Sequence, residues 1–211
     1  MPKQEIIKRI RLYRMPVRLR KPFIISLGSL DYADNVVVVM ETSGGIRGFG
    51  ECSPFQTIHG ENGKTCMIVG QLLGEALEGQ DALNIEACTA RMDTTIFGNT
   101  SIKSAFDMAM HDIAARHAGM PLYRFLGGNN DKEIFTDYTV SLDRPEIMAA
   151  DAASIVRAGF PVIKVKLGGT EDEDFLRIKR IRESVGAAIP IRIDANQGWS
   201  KESAVRILNR L

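Results

Sequence analysis

The stretch "FPVIKVKLGGTEDED", residues 160–174, decides how this chain is read. In an extended strand Ile163, Val165 and Leu167 take one face and Lys164 and Lys166 the other. The two ammonium groups then stand about 6.6 Å apart on one side of the strand. The acidic run Glu171 to Asp174 that follows suits the N-terminus of a helix, where the macrodipole favours negative charge. The local grammar is strand, short loop, helix. One face of the strand belongs in a core, and the other carries two like charges that need a reason.

The same grammar continues on both sides. "IFTDYTVSL" (134–142) predicts a strand and "RPEIMAADAASIVRAG" (144–159) a helix. "IPIRIDA" (189–195) predicts a third strand, and "SKESAVRILNRL" (200–211) a third helix. Three β/α units in succession build a parallel sheet. Upstream the pattern differs. Residues 5–20 read as a strand-rich opening, and "NVVVVMETSGGIRGFGEC" (35–52) as a hairpin around a Ser-Gly-Gly turn. Helical spacing runs from Lys64 to about Leu77, and 80–94 holds a shorter helix. The clearest helix is "TSIKSAFDMAMHDIAARHAGMP" (100–121), with Ile102, Ala105, Phe106, Ala109, Ile113 and Ala114 in one stripe. Thr100 or Ser101 is its predicted cap, and Gly119 with Pro121 its stop. The expected organisation is an α+β unit over residues 1–128 and a β/α unit over 129–211.

Composition narrows the function class. Of 211 residues 45% are hydrophobic and 25% charged, which suits a globular protein with a sizeable core. Lys plus Arg is 27 against 26 for Asp plus Glu, a net charge of +1 that gives no reason to expect nucleic acid or an anionic membrane as partner. Cys52, Cys66 and Cys88 are an odd set without C-x-x-C spacing, which fits a reducing compartment. The basic N-terminus lacks the apolar core of a signal peptide, and the run "VVVVM" (36–40) is far too short to span a bilayer. The expected location is the cytoplasm.

Three polar residues fall where a parallel α/β fold gathers its chemistry. Lys164 and Lys166 lie near the C-terminal end of the second strand, and Asp194 ends the third. A reading without chemistry has the lysines extending to solvent and Asp194 capping the next loop. Two lysines on one face, with a carboxylate at the matching end of the next strand, favour a shared site. Other candidates carry less. Gly168-Gly169 lacks the Lys-Ser/Thr pair of a phosphate loop. His59 reads as a polar loop residue, His111 and His117 as structural helix residues, and Trp199 as packing.

"KVK" followed by "DANQGW" (194–199) resembles the enolase superfamily in its muconate-lactonising branch, and most of all the dipeptide epimerases typified by L-Ala-D/L-Glu epimerase. "KPFIIS" (21–26), "GFGECSP" (48–54), "SAFDMAMHDIAARHAGMPLYRFLGG" (104–128) and "TDYTVSLD" (136–143) fall in the matching order, so the resemblance covers essentially the whole chain. It implies an α/β fold: an enolase-like α+β capping domain followed by the first three β/α units of a (β/α) barrel, incomplete in this chain. It also implies a Mg²⁺ cofactor and a small-molecule dipeptide substrate. Carried over by position, Lys166 is the base that removes the α-proton, and Lys164 the neighbouring cation that favours its neutral form. Asp194 becomes a Mg²⁺ ligand, and Thr139, Gly28 and Ile58 substrate-binding positions.

The chemistry fits these residue types. A proton α to a carboxylate is very weakly acidic, so its removal needs both a positioned base and hard-cation stabilisation of the product. Relatives acting on an acidic second residue can carry a basic side chain in the first capping loop, where this chain has Gly28. A broader or more apolar dipeptide preference follows, unless Arg20 or Lys21 supplies the cation. The resemblance places the remaining metal ligands and an opposed lysine on later strands, which this sequence does not contain. The expectation is an N-terminal portion of an epimerase. The alternatives are an o-succinylbenzoate synthase-like lyase, which shares the same residues, and a non-catalytic truncated product. Unpaired strand edges would also permit a homo-oligomer.

Overall fold

Four consecutive valines and a Ser-Gly-Gly turn build the first sheet. A computed structural model describes residues 4–129 and 132–211. In it β1 (Ile7–Ile25), β2 (Gly28–Thr42) and β3 (Arg47–Cys52) form a sheet in the order β1-β2-β3. β2 and β3 pair antiparallel, from Val36 opposite Cys52 to Glu41 opposite Arg47. The two-residue period puts Val36, Val38 and Met40 wholly inside, while Val37 and Val39 point to the other face. Then follow α1 (Gln56–His59), α2 (Gly63–Leu77), α3 (Ile85–Thr95), α4 (Thr100–His117) and α5 (Leu122–Phe125).

The chain divides into two compact units, Met1–Arg18 with Tyr32–Lys132 and Leu19–Asp31 with Glu133–Leu211. In the first, the predicted stripe on α4 is buried in full, joined by Met110. α4 lies against β3, and contact is possible because the inward residues of "RGFGEC" are Gly48, Gly50 and Cys52. A Cβ on Gly50 would collide with the carbonyl oxygen of Ala105, and one on Gly48 with that of Ala109. Neither glycine has a positive φ, so the requirement is space rather than backbone freedom.

The helix starts are capped in two different ways. Asn62 accepts from the N–H groups of Lys64 and Thr65, with Thr65 reciprocating, a capping box that starts α2. At α4 neither Thr100 nor Ser101 is the cap. Asn99 precedes the helix in a left-handed conformation, its side chain donating back to the Phe97 carbonyl and not capping the helix, and the buried Glu61 accepts from the N–H groups of Ser101 and Ile102 instead. A residue about forty positions upstream satisfies the orphan donors, which no local pattern could reveal.

Glu5 plays a similar part at the edge of the first sheet. Its buried carboxylate accepts from the Thr42 hydroxyl and the Gly44 N–H, and lies 3.2 Å from Nδ1 of His117. The Thr42 hydrogen bond, followed by those of His117 and Gly44, outweighs burial and holds the carboxyl below its ordinary value. Cys52, Cys66 and Cys88 are buried free thiols, and burial raises the pKa of each, which suppresses the reactive thiolate.

The second unit contains β4 (Tyr138–Val140), α6 (Pro145–Arg157), β5 (Ile163–Lys166), α7 (Glu171–Val185), β6 (Ile191–Asp194) and α8 (Lys201–Leu208). The strands are parallel in the order β4-β5-β6. Ile163, Val165 and Leu167 are completely buried with Val140, Met148, Ala152 and Ile181. The first strand is shorter than the sequence pattern suggests: Ile134 and Phe135 are 84% and 68% exposed, so apolar character there does not signal pairing. The tip of the β1–β2 hairpin belongs to this unit, where the Leu142 N–H donates to the Ile24 carbonyl. No helix among the described residues is long and apolar enough to cross a membrane.

Two glycines should respond oppositely to the same change. Gly50→Ala must displace backbone and should destabilise by about 1–3 kcal/mol. Gly74→Ala, within α2, finds its nearest neighbour at an ordinary 3.7 Å and should stabilise by about 0.5–1 kcal/mol. Urea denaturation of the two variants measures both signs. The lowered pKa of Glu5 implies stabilisation that is present above the ordinary value of 4.5 and is lost as pH falls through the lower folded value. Glu5→Gln should remove that part of the acid dependence in a series of denaturation curves between pH 6 and about pH 3.

Candidate active site

The two lysines of β5 converge on one carboxylate. The parallel register sets Lys166 opposite Asp194, and both Lys164 Nζ and Lys166 Nζ lie 2.8 Å from the same oxygen, Oδ2. Its other oxygen, Oδ1, accepts from the backbone N–H of Asn196 at 2.9 Å. Asp194 thus meets the lysines with one oxygen and the following loop with the other. Burial alone would raise the Asp194 pKa. The hydrogen bonds from Lys164 and Lys166, then that from Asn196, outweigh it and hold the carboxyl far below the ordinary carboxylate range.

The lysines differ in environment. The Lys166 side chain is 7% exposed and that of Lys164 34%. The hairpin tip of the same unit covers Lys166: the ring of Phe23 lies 5.5 Å from Lys166 Nζ, in cation–π range. Ser26 from the same tip has its hydroxyl 2.9 Å from the carbonyl oxygens of both Ala195 and Asn196, and can donate to one at a time. Sequence reasoning missed Phe23 and Ser26, although both sit inside the "KPFIIS" match.

The other predicted positions divide. Thr139 is the register partner of Lys164, which places it at the edge of the same constellation. Gly28 lies in the hairpin tip with φ 141° and open space where a Cβ would stand. Ile58 lies in the first unit on α1, 44% exposed. His59 accepts from the Phe55 N–H within its own turn, and His111 Nδ1 lies 3.0 Å from the carbonyl of Asp107. Both have local partners, as does His117 with Glu5. Trp199 packs against the second core and also donates from Nε1 to Asp174, a polar role beyond packing. The N–H groups of Gly168 and Gly169 point at that same internal carboxylate, so a side chain takes the place a phosphate would need.

As a metal centre the arrangement is partial. Asp194 offers one hard oxygen donor, but no group of three His, Cys, Asp or Glu side chains among the described residues could hold an ion. The described residues therefore do not by themselves make a Mg²⁺ site.

Two family models match the chain in succession. Residues 8–127 match the mandelate racemase / muconate lactonizing enzyme N-terminal domain, and residues 147–211 the enolase C-terminal domain-like family. The D-Ala-D/L-Ala epimerase of Cytophaga hutchinsonii is 54% identical over 98% of this chain and 56% of its own length. The hydrophobic dipeptide epimerase of Enterococcus faecalis is 36% identical over 97% of this chain and 58% of its own. The crystal structure of the Cytophaga hutchinsonii dipeptide epimerase, complexed with Mg and D-Ala-L-Val, superposes with a TM-score of 0.96 over 98% of this chain and 56% of that one. The chain spans just over half the length of these relatives. The first of the two family models spans more than half of the residues, and the chain belongs to the mandelate racemase / muconate lactonizing enzyme family.

Proposed function

We propose that this chain is part of a cytoplasmic Mg²⁺-dependent dipeptide epimerase, acting at the α-carbon of the second residue. The observation that carries the reading is the convergence of Lys164 and Lys166 on Asp194 Oδ2 at adjacent parallel strand ends. Support comes from two epimerase relatives and from the Mg and dipeptide bound in one of them.

In this reading Lys166 is the proton acceptor. From its place beside Asp194 at the strand end it takes the substrate's α-proton on one face and exchanges it with solvent. Lys164 shares its strand face and its carboxylate partner, and orients Asp194 from the more exposed side. Asp194 would contribute one ligand to Mg²⁺ in the whole protein, which when bound supplies charge stabilisation to a substrate carboxylate. Thr139, Gly28 and Ile58 are proposed substrate positions, the first beside Lys164 and the other two within the capping region of residues 1–128. An open position at Gly28 offers no cation to a charged second residue. A buried glutamate would lack a charge-assisted bond worth about 1.5–3 kcal/mol, which favours apolar dipeptides.

Deuterium incorporation at the α-carbon, followed by NMR from each epimer of a dipeptide, tests the role of Lys166. In the complete polypeptide Lys166→Ala should abolish exchange from one epimer, and unchanged exchange from both would remove the assignment. Asp194→Asn should weaken Mg²⁺ binding in a calorimetric titration. The ratio of kcat/KM for L-Ala-L-Leu to that for L-Ala-L-Glu should exceed one, and a hundredfold preference for Glu would refute the apolar reading. The 211-residue chain by itself should exchange no α-proton above the buffer rate, because its described residues provide one metal carboxylate and bases on one face only.

A further inference from the structure

Asp174 is a carboxylate that the proton-transfer reading leaves unused, and it is completely buried. Its three acidic neighbours at the start of α7 have surface partners. Glu171 pairs with Arg206, Asp172 with Arg210, and Glu173 closes the capping box on Thr170. Asp174 alone turns inward. Oδ2 accepts from the N–H groups of Gly168 at 2.9 Å and Gly169 at 3.0 Å, and from Trp199 Nε1 at 2.8 Å. Oδ1 accepts from Arg177 Nη1 at 2.7 Å. Four donors satisfy a charge that would otherwise be very unfavourable in the interior.

The origin of those donors gives the group its meaning. Gly168 and Gly169 form the loop directly after Lys166, and Trp199 ends the loop directly after Asp194. Arg177, the ion-pair partner, also donates from Nε to the carbonyl of Asp143, in the loop after β4. One buried ion pair on α7 therefore reaches the loops that follow all three strands. The loops also touch one another: Leu167 N–H donates to the Asp194 carbonyl, and a Cβ on Gly198 would lie 2.7 Å from Gly168 Cα. The fit leaves little slack between the ends of β5 and β6.

We propose that Asp174, with Arg177 and Trp199, is a positioning group that fixes the end of β5 against the end of β6 and so sets the approach of Lys166 to Asp194. Its functional meaning rests on the epimerase reading, whereas its geometry does not.

The test is NMR of the full chain with ¹⁵N in glycine, tryptophan and lysine. Trp199 is the single tryptophan, so its indole N–H is assigned without ambiguity. Trp199→Phe keeps the ring and removes the donor. Asp174→Asn keeps the shape and removes the charge, and Asp174→Glu restores the charge. Glu171→Gln breaks a surface ion pair in the same helical turn and serves as control. In Trp199→Phe and Asp174→Asn, the Gly168 and Gly169 amides should exchange about tenfold faster, as loss of one charged hydrogen bond implies. The Lys166 ζ-ammonium resonance should shift in both, move back toward its original position in Asp174→Glu, and stay in place in Glu171→Gln. If Asp174→Asn does not fold, Trp199→Phe alone decides. An unmoved Lys166 resonance in folded Trp199→Phe overturns the proposal, as does an equal shift in Glu171→Gln. Because these signals report geometry, the positioning role stands or falls separately from the α-proton exchange that tests the reaction.

Discussion

Two ammonium groups and one carboxylate impose the constraint on which the second unit depends. Lys164 and Lys166 emerge on the same side of β5, where their repulsion grows as water is removed around Lys166. The register that places Lys166 opposite Asp194 brings one oxygen within reach of both. The opposite face enforces the same alignment. Ile163, Val165 and Leu167 fill the core there, and a slip of one residue would exchange them with the lysines. Apolar packing on one side and ion pairing on the other thus select a single register.

Buried charge is used elsewhere in the molecule in a different way. Glu5, Glu61 and Asp174 are buried carboxylates, and each accepts from backbone N–H groups: Gly44, Ser101 with Ile102, and Gly168 with Gly169. Each secures a loop or a helix start that local sequence leaves open. Lys166 departs from that pattern. It is buried, yet its polar partner is another ionised side chain at a strand end. A charge buried against a second side-chain charge, without backbone N–H donors, is thus the exception among these groups.

Periodic features were legible in the letters. The α4 stripe, the hairpin at 35–52 and the alternation along β5 all follow from helical or two-residue spacing, and the structure places each as the pattern predicts. Relations at long range were not. Glu61 as the cap of α4 requires knowing which segments meet. Asp174 sits in a run of four acidic residues that a helix N-terminus explains equally well, and only burial separates it from its neighbours. β4 is short because pairing, rather than apolar content, defines a strand. The contribution of residues 19–31 to the second unit has no signature at all, since a long strand reads the same whichever residues its tip touches.

That tip bears on how the chain reaches its structure. Ser26 finds its acceptors 169 and 170 positions later, at Ala195 and Asn196. On a ribosome, the tip emerges well before β6 and must wait for that strand before its partners exist. Contacts this distant in sequence close large loops, and folding slows as their share grows. The parallel strands can pair as each β/α unit appears, but the surface that shields Lys166 becomes complete only when the early tip meets the late loop. Assembly of the first unit and burial of the lysine are therefore separate events in time.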